Sequence, residues 1–142
     1  MKELSGKVAI VTGAGRMRGI GRATAVRLAE LGAHVVVTGT GRNPKTFPDD
    51  EKKANWKDIE STAQQIRAHG VKALTLIVDV TDQTQVENMI DSTISEFSRV
   101  DILINNAAAP IGEDRVPIIE VQPDVFQRVI DIKIRGTYLC TQ

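Results

Sequence analysis

The stretch that decides the fold is Lys7-Val8-Ala9-Ile10-Val11-Thr12-Gly13-Ala14-Gly15-Arg16-Met17-Arg18-Gly19-Ile20-Gly21. Residues 8–11 form a continuous apolar run, which is typical of a strand covered on both faces in a parallel sheet. Glycines follow at once, and a helical pattern begins after them. Glycine lets the backbone approach a ligand closely, and the N-terminus of a helix attracts negative charge. This order of strand, glycine-rich turn and helix predicts a site for the pyrophosphate of a dinucleotide. A P-loop is excluded because no Gly-Lys-Ser/Thr follows.

The same alternation continues along the chain. Further runs rich in β-branched residues lie at 35–37, 74–78 and 102–104. Between them, apolar residues recur at helical spacing, for example Val86, Met89, Ile90, Ile94 and Phe97, and a last helix is predicted to begin at Pro123. The order β-α-β-α-β-α-β-α predicts an α/β protein with a Rossmann-like, doubly wound parallel sheet, of which four β-α units are present.

Composition narrows the function classes. The 142 residues carry 18 basic and 18 acidic side chains, so the chain lacks the charge excess of proteins that bind nucleic acid or anionic membranes. No apolar run approaches the roughly 18 residues of a membrane span. The single cysteine, Cys140, cannot form an internal disulfide, which favours a reducing, cytoplasmic location. The expected partner is a small molecule.

The segment between Thr38 and Asp58 has the composition of a loop. It contains two prolines and many charged residues, and it predicts a long, solvated loop with a helical turn near Trp56. The acidic run Asp49-Asp50-Glu51 lacks the spaced oxygen ligands of a calcium loop. We interpret it as a solvated surface, and we expect no metal.

Three motifs in order resemble the short-chain dehydrogenase/reductase family. Val11-Thr12-Gly13-Ala14-Gly15 with Gly19-Ile20-Gly21 is similar to its T-G-x-x-x-G-x-G pattern, and Asp79-Val80-Thr81-Asp82 and Asn105-Asn106-Ala107-Ala108 follow at predicted strand ends. The resemblance implies an NAD(P)-dependent oxidoreductase that transfers hydride between nicotinamide and a carbonyl or alcohol substrate, and it implies a homo-oligomer. It also implies that Asp79 binds the adenine and that Asn106 and Ala107 line the nucleotide. The full set of predicted cofactor-binding residues is Gly13, Gly15, Arg16, Arg18, Gly19, Ile20, Gly21, Gly39, Arg42, Asp79, Val80, Asn106, Ala107 and Ala108.

The chain departs from the family pattern at three places. Five residues separate Gly13 from Gly19 where the family has three, which indicates an insertion at 16–18. Ala108 replaces the glycine of N-N-A-G, and Lys133 replaces the asparagine of D-V-N-x-x-G. Lys133 shares a helix face with Phe126, so we predict that it points inward. A role in a proton relay and a lysine that reaches out of a partly buried stripe both remain open.

The family's catalytic serine and its Y-x-x-x-K motif have no counterpart in this chain, since the helical context of Tyr138 does not fit. The strand at 101–105 is expected at an apolar sheet edge. We therefore expect residues 1–142 to be an NAD(P)-binding Rossmann domain that is incomplete at its C-terminus. Two alternatives stay open: a non-enzymatic nucleotide-binding regulatory module, and a methyltransferase that uses the same glycine turn.

The residues after the second strand bear on the choice of cofactor. Enzymes that prefer NAD place an acid there to bind the ribose 2′-hydroxyl. Here the sequence is Thr38-Gly39-Thr40-Gly41-Arg42, and no acid follows until Asp49. Because guanidinium groups suit a 2′-phosphate, Arg18 and Arg42 predict NADP, with NAD possible if both arginines only face solvent.

Overall fold

Four parallel strands form one sheet in the computed structural model, which describes residues 1–142. They are β1 (Val8–Val11), β2 (His34–Gly39), β3 (Ala73–Ile77) and β4 (Ile102–Ile104), arranged in the order β3-β2-β1-β4. In the register of the central strand, Ile10 lies between Val36 of β2 and Leu103 of β4. The predicted strands and their parallel arrangement are confirmed, and β4 is an edge strand as expected.

Helices connect the strands and cover both faces of the sheet. They are α1 (Ile20–Glu30), α2 (Asp49–Lys53), α3 (Ile59–Arg67), α4 (Gln83–Phe97), α5 (Pro123–Ile130) and α6 (Gly136–Thr141). A π-helical segment, Asp131–Arg135, joins α5 to α6, and short 3-10 turns lie at Pro44–Thr46 and Ile118–Glu120. None of these helices combines the length and the apolarity that crossing a membrane requires.

The helix boundaries follow from local chemistry. The Asp82 side chain accepts a hydrogen bond from the backbone N–H of Gln85, which caps the start of α4. Gly32 follows α1 with a φ of +99°, a conformation that glycine adopts without strain. Pro123 is the first residue of α5, as predicted.

Two apolar cores lie on opposite faces of the sheet. On one face, Ala25 of α1 and Ile66 of α3 pack against the strands. On the other, Met89 of α4 and Cys140 of α6 pack against Ile10. Full burial of a side chain such as Ile10, which has no exposed surface, contributes about 1.5–3 kcal/mol to folding. These cores hold the carboxyl ends of the strands in fixed positions.

The segment between β2 and α3 differs from its prediction as a solvated loop. It contains α2, which lies at Asp49–Lys53 and not at Trp56. Phe47 and Glu51 are buried, with 4% and 3% of their surface exposed. Most of the segment is exposed, as predicted, but the prediction was wrong for Phe47 and Glu51, because Glu51 pairs with Arg42 and Phe47 packs against the same guanidinium. We call residues 43–58 the inserted segment, because they lie between β2 and α3; the name does not refer to the insertion predicted at 16–18.

Candidate functional site

The glycine-rich turn at 13–21, here called the phosphate loop, leaves the carboxyl end of β1 and leads into α1. Gly13 has a φ of +67°, and a Cβ placed there would lie 2.8 Å from the Cα of Ala107. A side chain at this position would therefore strain the backbone and collide with the chain beyond β4. The close approach of residues 13 and 107 brings two of the predicted cofactor-binding motifs together.

Asn106 fastens the phosphate loop to the end of β4. Its Nδ2 donates to the backbone oxygens of Thr12, at 2.9 Å, and of Gly13, at 3.0 Å. The Thr12 hydroxyl accepts the backbone N–H groups of both Asn106 and Ala107, each at 3.1 Å. A Cβ at Gly21 would clash with the Asn106 amide, so this glycine makes room for the bond network. Asn106 thus has a structural role at the site.

The N-terminus of α1 is open to an anion. Gly19 occupies the N-cap position, no side chain caps the helix, and its first turn contains no acidic residue. The first N–H groups of a helix lack intrahelical partners, and they carry the positive end of the helix dipole. The phosphate loop therefore fits the pyrophosphate of a dinucleotide.

The inserted segment folds back onto the phosphate loop. The indole Nε1 of Trp56 donates to the backbone oxygen of Gly15 at 2.7 Å. Glu51 accepts the backbone N–H of Met17 through Oε1 at 2.8 Å. These two bonds hold the phosphate loop at Gly15 and at Met17, and Met17 lies within the stretch predicted to be an insertion.

Arg42 lies at the centre of this contact and not in solvent. Its guanidinium pairs with Glu51 at 3.0 Å and with Asp58 at 2.7 Å, and it packs 4.5 Å above the centre of the Phe47 ring. It also donates to the backbone oxygen of Gly15 at 3.2 Å. Burial alone would lower the pKa of Arg42, but the hydrogen bonds from the two carboxylates outweigh burial and raise it. Arg42 is therefore a permanent cation whose donors are largely occupied.

The premise that no acid lies near the end of β2 is wrong. Glu51 and Asp58 reach this place from the inserted segment, although neither follows β2 directly in sequence. Arg18 also has an acidic partner, Asp50, at 2.9 Å, but its side chain is 81% exposed. Both arginines predicted to receive a 2′-phosphate are paired with carboxylates.

The remaining predicted cofactor-binding residues differ in their environments. Arg16 and Ala108 are exposed. Asp79 is exposed too, and its carboxylate accepts the N–H and the hydroxyl of Thr81, at 2.9 and 2.7 Å. The side chain of Val80, in contrast, is buried against Gly136 of α6, where a Cβ would lie 2.6 Å from Val80 Cγ2. The Val80 side chain therefore packs inside the protein, and the prediction that Val80 contacts a cofactor can concern only its backbone.

The prediction that Lys133 points inward is wrong. Lys133 lies in the π-helical segment with an exposed side chain, and Phe126, on the face that was expected to be buried, is 54% exposed. The five-residue π segment shifts the helical register, so the stripe does not continue toward the core. Lys133 lines an open depression with Thr137, Tyr138 and Thr141.

Comparison with known proteins decides the family. Residues 7–142 match a family model described as short chain dehydrogenase. The chain belongs to the short-chain dehydrogenase/reductase family. Within this family, the phosphate loop, Asp79 and Asn106 are the residues that carry the sequence resemblance, and the structure brings the phosphate loop and Asn106 into direct contact.

Relatives within the short-chain dehydrogenase/reductase family include enzymes named for both nicotinamide cofactors. The chain is 39% identical over 138 residues to the short chain dehydrogenase/reductase astE of Aspergillus oryzae, covering 96% of this chain and 46% of that protein. It is 34% identical over 142 residues to the NADPH-dependent aldehyde reductase 2, chloroplastic, of Arabidopsis thaliana, covering 98% and 49%. The crystal structure of NAD+-bound xylitol dehydrogenase is similar with a TM-score of 0.79 at 32% identity, covering 99% of this chain and 47% of that one. The chain spans about half the length of the curated relatives it matches.

Sequence reasoning missed three residues of this short-chain dehydrogenase/reductase site. Glu51, Trp56 and Asp58 all contact the phosphate loop or Arg42, yet they belong to the segment interpreted as solvated. The available signal was an aromatic residue among equal numbers of acids and bases, a composition that permits internal pairing. The charge run alone did not show which acid meets which base.

Proposed function

We propose that the intact protein is an NAD(P)-dependent oxidoreductase that transfers hydride between the nicotinamide and a small carbonyl or alcohol substrate. The observation that carries this proposal is the uncapped N-terminus of α1 behind a phosphate loop that Asn106 and Trp56 hold in place. Family membership supports it, since the relatives compared above are named as dehydrogenases or reductases. No observation favours a non-enzymatic regulatory module, and the family membership argues against a methyltransferase.

In this proposal, the residues of the chain bind and orient the dinucleotide. The phosphate loop, from Gly13 to Gly21, binds the pyrophosphate through its backbone, and Asn106 keeps that loop against β4. Gly39 and Asp79, at or beyond the ends of β2 and β3, lie along the adenosine half. The bound nicotinamide supplies or accepts the hydride, and the protein positions it.

We also propose Lys133 as a member of the proton relay. A relay must exchange protons with water, and the exposed position of Lys133 in an open depression is compatible with that requirement. The depression contains the Thr141 side chain, whose hydroxyl accepts a hydrogen bond from Asn105 at 3.1 Å. Polar groups therefore extend from the depression to the motif that follows β4.

The relatives do not distinguish between NAD and NADP as the cofactor, because one is named as NADPH-dependent and another was crystallised with NAD+. The sequence-based preference for NADP stays a prediction. The carboxylate partners of Arg42 and Arg18 count against it, since each arginine would have to exchange an existing ion pair for a phosphate.

Two further properties belong to this proposal. Exposed apolar side chains on and before α5 and α6, among them Ile118, Ile119, Phe126 and Ile134, support a homo-oligomer. The single cysteine, Cys140, is a free thiol, which supports a reducing, cytoplasmic setting.

The experiment that tests the function is a calorimetric titration of the intact protein with NADH and NADPH, for wild type and Gly19→Val. A branched side chain at the helix N-terminus should obstruct the pyrophosphate and lower the affinity for both nucleotides about tenfold or more. The matched control is Gly112→Val, because a Cβ at Gly112 meets no atom within 4 Å. Circular dichroism verifies that both variants fold. Equal affinity of Gly19→Val and wild type would contradict the proposed site.

A further inference from the structure

Asp58 has an unusual backbone conformation for its residue type. It lies immediately before α3 with φ +53° and ψ −133°, a region that residues with a side chain rarely adopt. It occupies the N-cap position of α3, where aspartate normally accepts a backbone N–H, yet its side chain makes no capping bond. The carboxylate is turned toward other partners.

The carboxylate lies close to the backbones of two glycines. A Cβ at Gly15 would clash with Asp58 Oδ1, and a Cβ at Gly39 would lie 3.6 Å from Asp58 Oδ2. Gly15 belongs to the phosphate loop and Gly39 ends β2. The Asp58 carboxylate is therefore wedged between the phosphate loop and the carboxyl end of the second strand.

The two oxygens of this carboxylate differ in what they bind. Oδ1 accepts Nε of Arg42 at 2.9 Å and Nη2 of the same residue at 2.7 Å. Oδ2 accepts no hydrogen bond from the chain, although the side chain is only 13% exposed. One oxygen of the carboxylate is thus fixed, and the other remains free to accept a hydroxyl group.

The charge at this place is negative. Arg42 is one cation between two carboxylates, Glu51 and Asp58, which leaves one negative charge in excess. A hydroxyl donor is attracted by a free carboxylate oxygen, whereas a phosphate is repelled by it. In dinucleotide-binding folds, an acid at the carboxyl end of the second strand, beside the glycine-rich turn, binds the ribose 2′-hydroxyl of NAD.

We propose that Asp58 accepts the 2′-hydroxyl of the adenosine ribose through Oδ2 and thereby makes the protein prefer NAD over NADP. The acid comes from the inserted segment and replaces the one that β2 lacks. Arg42 is a positioning residue that holds the Asp58 carboxylate and does not bind a 2′-phosphate. This inference rests on the proposed binding of a nicotinamide dinucleotide, and it reverses the preference predicted from sequence.

The test is a calorimetric titration of the intact protein with NAD and NADP. Wild type should bind NAD about tenfold tighter or more, the range of one hydrogen bond to a charged group. Asp58→Asn keeps the size and shape of the side chain but removes its charge, so it should lower the NAD-to-NADP affinity ratio about tenfold. Glu60→Gln is the matched control: its exposed carboxylate pairs with Arg67 on α3, and the ratio should not change.

Two further measurements test the roles of Arg42 and of the negative charge at this place. Arg42→Ala should weaken the binding of NAD, because the Asp58 carboxylate loses the guanidinium that positions it. If Arg42 instead bound the 2′-phosphate, the substitution would weaken the binding of NADP alone. In wild type, rising salt should narrow the gap between the nucleotides by screening the repulsion of the 2′-phosphate. This salt series needs no variant, so it decides the question even if a substitution prevents folding.

Tighter binding of NADP by wild type, or an unchanged ratio in a folded Asp58→Asn variant, would overturn the role of Asp58 while the proposed oxidoreductase function stands. The role of Asp58 would also be overturned if lowering the salt concentration increased the affinity for NADP relative to that for NAD. If neither nucleotide binds, the proposed function fails and this inference fails with it.

Discussion

Asn106 donates twice to Thr12: its Nδ2 to the backbone oxygen at 2.9 Å and its backbone N–H to the hydroxyl at 3.1 Å. These bonds tie the end of β4 to the end of β1, where the phosphate loop begins. The residue is thus part of the scaffold of the cofactor site.

Replacing Asn106 by alanine should therefore lower both stability and cofactor affinity. The backbone oxygens of Thr12 and Gly13 lose their donor, which should cost about 1–3 kcal/mol in the free energy of unfolding. Urea unfolding of the intact protein measures this loss. The control is Asn88→Ala, an exposed residue of α4, which should leave stability within about 0.5 kcal/mol of wild type. Similar midpoints for both variants would show that the Asn106 bonds do not stabilise the fold.

Glu51→Gln should destabilise the protein more than any other neutralisation in the inserted segment's acidic run. Glu51 is 3% exposed, accepts the Met17 N–H and pairs with Arg42, so its loss leaves a partly buried cation with one carboxylate fewer. We expect a loss of about 1–3 kcal/mol by urea unfolding. Asp50→Asn removes only an exposed pair with Arg18 and should change stability by about 0–1 kcal/mol. Equal effects of the two substitutions would contradict the burial of Glu51 in the folded protein.

Asp101 gives the protein an acid-sensitive contact at the amino end of the sheet. Hydrogen bonds from Arg99 and from the backbone N–H of Val8 lower its pKa from 3.8 to about 2. Because the folded pKa is depressed, these contacts stabilise the fold fully above about pH 4, and their contribution is lost as the pH falls toward about 2. Wild type should thus lose thermal stability more steeply than Asp101→Asn over this range.

Melting temperatures of both proteins at a series of acidic pH values test the Asp101 prediction. Asp91→Asn, which changes an exposed aspartate of α4, should follow the wild-type curve. If the melting temperature of Asp101→Asn falls in parallel with that of wild type from pH 4 downward, the depressed pKa of Asp101 does not contribute to stability.

Lys133→Asn should leave folding unchanged and alter catalysis. The side chain is exposed, so its loss should shift the unfolding free energy by less than about 0.5 kcal/mol. A relay residue should instead lower the turnover number and change its pH profile, without a matching change in nucleotide affinity. Steady-state rates across the pH range, measured on the intact protein, provide the comparison. An unaltered rate and profile would remove Lys133 from the relay.

The strands and the main helices follow from local signals that the sequence shows directly. The apolar runs at 8–11 and 102–104 coincide with β1 and β4, because strands of a parallel sheet that helices cover are continuous apolar runs. The start of α4 is equally local, since Asp82 caps a helix whose stripe begins at Val86. Patterns of this kind need no knowledge of distant residues.

The inserted segment could not be predicted in this way, because its structure depends on pairs that are far apart in sequence. Arg42 and Asp58 are 16 residues apart, and Trp56 lies 41 residues from the carbonyl that it binds. A five-residue helix such as α2 shows too little periodicity to be recognised, and the positive φ of Asp58 has no signature in a residue other than glycine. Lys133 was misplaced for a different reason: a π-helical segment breaks the regular spacing on which the prediction relied.

Because Trp56 donates a hydrogen bond to the Gly15 carbonyl, the site contains an intrinsic fluorophore. Trp56 is the only tryptophan among these 142 residues, and its indole nitrogen lies 2.7 Å from the backbone of the phosphate loop. Any displacement of that loop alters the surroundings of the indole ring, and with them its emission. The fluorescence of this one side chain can therefore follow nucleotide arrival in real time, without a label and without a substrate.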